Sequence, residues 1–136
     1  MFYGEEMPDF LASFQPVTHL PYLPDVARID LAVRRAYHAE DVDAVTGDRL
    51  QALAPDALVE TKFDLAPAVH ILRSTLPAYG IWAMQKGAAA PQAHAQDTLV
   101  CRPLLDPEVL LLPAGGAIFL QTLASGAALG AAMEAA

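Results

Sequence analysis

An α+β fold, with an N-terminal helical part followed by a small sheet of about four strands and packed helices, is predicted by three features of the sequence. Residues 24–38 carry apolar side chains at helical spacing. Residues 58–65 alternate apolar and polar side chains in the manner of a half-buried strand. Residues 98–112 hold two apolar runs divided by Leu105-Asp106-Pro107, the pattern of a hairpin.

The elements follow in order. EEMPDFLASF reads as a short helix whose leading acidic residues suit the helix dipole. QPVTHLPYLP, dense in proline, is an ordered connection. The main helix begins at Pro24, since the first helical turn needs no amide donor there. Val26, Ile29, Val33 and Tyr37 are its expected buried stripe, widened by Ala27, Leu31 and Ala36. Asp30 and Arg34 are spaced to pair on the outer face. A short helix capped by Thr46 and ended by Pro55 comes next. Strands are expected at 58–65 and at AVHILRS, with Pro67 breaking the run between them. LPAYGIWAMQKG reads as a helix with Pro77 in its first turn and Gly87 at its stop. After the hairpin come two short helices parted near Gly126, with Ile118, Phe119, Leu123, Leu129 and Met133 facing the core. The division expected is residues 1–45, helical, and 46–136, α+β, with the seam near 41–56.

Composition narrows the function. Apolar residues form 54% of the 136, enough for a true core rather than a disordered chain. Sixteen Asp and Glu against 8 Lys and Arg give a formal charge of -8, a field that repels phosphate and weighs against nucleic-acid binding. Arg28, Arg34 and Arg35 form the one basic group, and acidic residues surround them. A single cysteine, Cys101, excludes an internal disulfide, and the acidic start lacks the features of a signal peptide; a cytoplasmic protein is expected. Residues 109–133 carry no charge, but prolines and glycines interrupt them, so a soluble strand and two helices are expected in place of a membrane span.

The catalytic inventory is thin. His19, His38, His70 and His94 lack zinc-site spacing, and His70 reads as a half-buried, hydrogen-bonded strand residue. Ser13, Ser74 and Ser125 have no nucleophile-elbow context. A neighbouring Arg102 would lower the Cys101 thiol pKa, but a lone small apolar residue in a strand explains Cys101 better. The acidic run 40–48 lacks calcium-loop spacing. Tyr79 and Trp82 are read as core packing ahead of a stacking surface. No catalytic residue, metal site or cofactor is expected.

Four segments in series, YGEEMPDFLASF, LPYLPDVARIDLAVRRAYHAED, FDLAPAVHILRSTLPAYGIWAMQ and LVCRPLL…EVLLLPAGGAIFLQTLASGAALGAAMEAA, resemble the HvfC/BufC family, which carries a DNA-binding-domain label. The likeness runs over nearly the whole chain, and no single short motif in it is diagnostic. Family members carry further helices before the equivalent of Tyr3-Gly4, so residues 1–45 look like the remnant of a longer helical domain. Exposure of Leu11, Phe14 or the Val26–Tyr37 stripe would then favour homo-oligomers. The resemblance implies a non-catalytic adaptor that binds a ribosomally made precursor peptide and its multinuclear non-heme iron-dependent oxidase. The strand reading, separately, offers 98–102 and 108–112 as edges for an extended peptide, with Thr98, Val100, Cys101, Arg102, Val109 and Leu111 as contacts. Arg28, Arg34 and Arg35 are the expected partner-facing group. The alternative is a DNA-binding transcriptional regulator that uses those arginines.

Overall fold

The computed structural model describes residues 4–136; Tyr3, which opens the first family-like segment, lies outside the described residues. Its elements are α1 (Met7–Ser13), a 3-10 turn (Gln15–Val17), α2 (Leu23–His38), α3 (Gly47–Gln51), α4 (Pro55–Val59), β1 (His70–Leu72), α5 (Ala78–Met84), β2 (Thr98–Cys101), β3 (Glu108–Leu111), α6 (Gly116–Ala124) and α7 (Leu129–Ala135). The α+β class holds, with a sheet of 3 strands in place of the expected four.

The sheet is antiparallel with order β1-β2-β3. His70 lies opposite Val100, and Val100 lies opposite Val109. One face packs on α2, where Ala32 and Ala36 meet Ala68 and Val100, with Val33, Leu72 and Val109 around them. The helical part and the sheet therefore share this core, which spans the expected division at 45/46.

This packing changes the expected stripe of α2. Val26, Ile29, Leu31 and Ala36 are buried as predicted, but the stripe runs through Ala32 between them, and Tyr37 stands 58% exposed. Small side chains let the helix backbone approach the sheet, and a tyrosine at that interface would hold it off. Trp82, on α5, donates its indole N–H to Asp30 at 3.0 Å and so ties α5 to the flank of α2. Asp30 thus has a partner on another helix.

Residues 46–66 depart furthest from expectation. Thr46 does cap α3, accepting from the Arg49 amide at 3.3 Å. Pro55, however, opens α4 instead of ending a helix, and α4 absorbs the first residues of the expected strand. The alternation survives without the strand: Thr61, Phe63 and Leu65 are half-buried, and Glu60, Lys62 and Asp64 are exposed. The segment's ladder contact is a single bridge between Lys62 and Ala128. Alternation reports one buried side; it does not supply a backbone partner.

The two C-terminal helices form as predicted, and Gly126, at φ +93, parts them in a conformation that other residues rarely adopt. Leu123 is buried, but Ala117 and Ala132 fill the tightest positions while Ile118 and Met133 face solvent. No helix among the described residues is long and apolar enough to cross a membrane.

Candidate peptide-docking edge

The hairpin β2–β3 joins an enclosed strand to an open one. Thr98 and Val100 are buried, and β2 is paired along both sides. The proposed edge at 98–102 is thus corrected: the central strand has no free backbone to offer, so Thr98, Val100 and Cys101 are not edge residues. β3 is an edge strand, and Val109 and Leu111 lie on it.

The register fixes which amides point outward. Leu112 donates to the Asp97 carbonyl at 2.9 Å, just beyond the β2–β3 ladder. Antiparallel pairs alternate between bonded and non-bonded positions, so residues 108, 110 and 112 turn their backbone groups towards β2. Val109 and Leu111 turn theirs to the open side. The next outward positions are Pro107 and Pro113, which have no N–H. The free edge is therefore a short stretch of donors and acceptors bracketed by prolines. Its side chains are open on both faces: Leu110 is 44% exposed and Leu111 47%. The hairpin tip carries two further exposed leucines, Leu104 and Leu105. An edge this apolar, with Glu108 as its sole charge, lacks the lysines that usually discourage pairing.

Arg102 has a structural task. Its side chain is only 8% exposed, and its guanidinium donates to the carbonyls of Ala36 at 2.7 Å, Tyr37 at 2.6 Å and Ala39 at 3.0 Å, and to the carboxylate of Asp41. These carbonyls close the C-terminus of α2, where that of Ala36 also accepts the Ala39 amide and where a cation meets the negative end of the dipole. Arg102, one residue past β2, caps α2, so its expected place among the peptide contacts is corrected too. At the other end of β2, Gln96 is buried and accepts the Gly80 amide of α5 at 2.8 Å. Both ends of the central strand are pinned.

The arginines of α2 act within the chain. Arg28 pairs with Asp25 at 2.6 Å and reaches Asp9 of α1 at 4.0 Å. Arg35 pairs with Glu5 at 2.7 Å. These contacts hold the N-terminal segment along α2. Arg34 lies against Gly4, and it too has an interaction within the chain.

Of the other candidates, Cys101 has its pKa raised, first by burial and then by the Glu108 carboxylate, and not lowered as Arg102 beside it had suggested. His70 is half-buried as expected, but its Nε2 is enclosed without a hydrogen-bond partner. Burial, and then the nearby Arg35 charge, lower its pKa and favour the neutral ring. Trp82 carries the Lys86 ammonium over its ring at 5.6 Å. No group of three or more His, Cys, Asp or Glu among the described residues is placed to hold a metal. A broad groove of about 880 Å³ runs between residues 42–45, α3 and the extended 61–66 segment, with Leu50, Phe63 and Leu123 in its wall.

No family model, curated protein or solved structure matches the chain.

Proposed function

We propose that this protein is a non-catalytic adaptor that takes an extended peptide as an added strand along β3. The observation that carries this reading is the outward amide pair of Val109 and Leu111, set between prolines and flanked by exposed leucines. Strand addition draws affinity from main-chain hydrogen bonds and specificity from alternate side chains. The short edge suits a peptide run of about three residues, with apolar side chains to rest on Leu110 and Leu111. The partners that fit the resemblance stated above are a ribosomally made precursor peptide and a multinuclear non-heme iron-dependent oxidase, which would contribute the redox chemistry. A DNA-reading role would need the α2 arginines to be offered to phosphate, and Arg28 and Arg35 already hold carboxylates within the chain.

The test is retention of partners by the tagged chain in its host, identified by mass spectrometry, with Leu111→Pro alongside. Proline there removes an outward N–H that the β2–β3 ladder does not use, a position at which edge strands tolerate it. The expected result is an iron-dependent oxidase and a cysteine-containing peptide with the wild type, and loss of the peptide with Leu111→Pro. Recovery of neither partner, or peptide retention that Leu111→Pro leaves unchanged, overturns the reading.

A further inference from the structure

We infer that the β3 edge is self-complementary and that two copies of this chain pair through it about a two-fold axis. The argument is one of register. In an antiparallel β3–β3 pair centred on Leu110, Val109 of one copy lies opposite Leu111 of the other, and both residues have their amide and carbonyl turned outward. All the free donors of the edge are then matched. The same register sets Pro107 opposite Pro113, so the ladder ends on both sides where donors are lacking. A shift by one residue would oppose an outward-turned residue to one whose amide is held by β2. Glu108 falls opposite Leu112, not opposite its own copy, so the sole charge of the edge meets no like charge.

The side chains agree with the backbone. Leu110 sits on the axis and meets its counterpart at a non-hydrogen-bonded position, where cross-strand side chains are closest. Leu111 meets Val109 on the face shared with α2, where Val109 borders the core and Leu111 stands exposed. A closed two-fold contact of this kind uses one patch on both copies. The result is a continuous sheet of twice the observed width, in which neither β3 remains an edge. Because each chain carries a charge of -8, added salt strengthens the association. The pairing stands apart from the peptide reading; its consequence, that a peptide must displace the second copy, rests on that reading.

Sedimentation equilibrium of the full chain, from micromolar to submillimolar concentration, tests it. The expected mass is twice 14.5 kDa, returning to 14.5 kDa with Leu110→Lys, which sets two ammonium groups face to face, and with Leu111→Pro. Circular dichroism verifies that both variants are folded. In a Cys101→Ala background, oxidised Leu110→Cys forms a covalent dimer, since a Cα separation of about 4.5 Å at such a pair falls within disulfide reach. Leu111→Cys, whose counterpart is displaced along the strand, does not. A monomer throughout, or a dimer that survives both Leu110→Lys and Leu111→Pro, overturns the inference. Peptide retention by a chain that stays monomeric sinks the pairing alone. A dimer that retains no peptide sinks the adaptor reading alone.

Discussion

β2 and β3 are two strands of one hairpin with similar composition, TLVC and EVLL, yet they live in opposite environments. β2 is paired on both sides, packed on α2, and pinned at its ends by Gln96 and Arg102. β3 is paired on one side, reaches the core under α2 through Val109 alone, and is flanked by prolines. The difference teaches that apolar content does not separate enclosed strands from open ones. What separates them is how many backbone and side-chain faces the rest of the chain has already satisfied.

The largest expected effect breaks the anchoring of β2. Arg102→Met keeps the side-chain length but removes the guanidinium donor from the carbonyls of Tyr37 and Ala39 and leaves that of Ala36 with the Ala39 amide alone. Urea unfolding should show a loss of roughly 2–4 kcal/mol, since hydrogen bonds to charged groups are the strong ones and they act here as a set. The exposed Arg28 is the control: Arg28→Met should cost no more than about 1 kcal/mol.

The next effect contrasts the strands directly. Val100→Ala opens a cavity in the core under Ala32 and Ala36 and should cost about 2 kcal/mol. Leu110→Ala, made at concentrations where the chain is monomeric, should fall within about 0.5 kcal/mol of wild type. Equal losses would mean that β3 is as enclosed as β2.

A smaller effect concerns the entry to β2. A Cβ on Gly80 would lie 2.3 Å from Pro91 Cβ and 3.3 Å from the Gln96 Oε1 that holds this strand. Overpacking here should cost Gly80→Ala about 1–2 kcal/mol, part of it offset by alanine's better helix propensity. The smallest is a pH effect through His70, which faces Val100 across the sheet. Its folded pKa is lowered by burial and then by Arg35, so the unfolded chain binds the proton first as pH falls. Stability is therefore full above the unfolded pKa of about 6.5 and declines as pH drops through that value towards the folded pKa. His70→Leu should flatten this part of the pH profile in thermal melts; an unchanged slope would assign it to other groups.

Much of the framework was legible because it is local. Pro24 and the apolar spacing marked α2, Thr46 marked a cap, and Gly126 marked the break between the last helices. The hairpin was legible as two runs about Leu105-Asp106-Pro107. Which run lay inside was not, because strand order is decided by β1, which is distant in sequence. Arg102 was misread for the same reason: its partners on α2 lie more than sixty residues earlier in the chain. Ala36 was read as part of the stripe, but Ala32 gave little signal as a core residue, since its contribution is the closeness it permits and not the area it buries. The alternation was real in its burial over 60–65, though not at Leu58 and Val59, and carried no information about pairing. For β3, Val109 and Leu111 were found from the sequence, and the prolines that frame them were visible but lacked meaning until the register was known.

The central claim is best tested by amide hydrogen exchange resolved at Val109, Leu110 and Leu111 as protein concentration is raised. Leu110, whose amide is turned to β2, should be protected throughout and serves as the internal reference. The account predicts fast exchange at Val109 and Leu111 in the dilute chain and protection of both as concentration rises. Rates at these two residues that are slow from the outset, or that stay fast at every concentration, would contradict it.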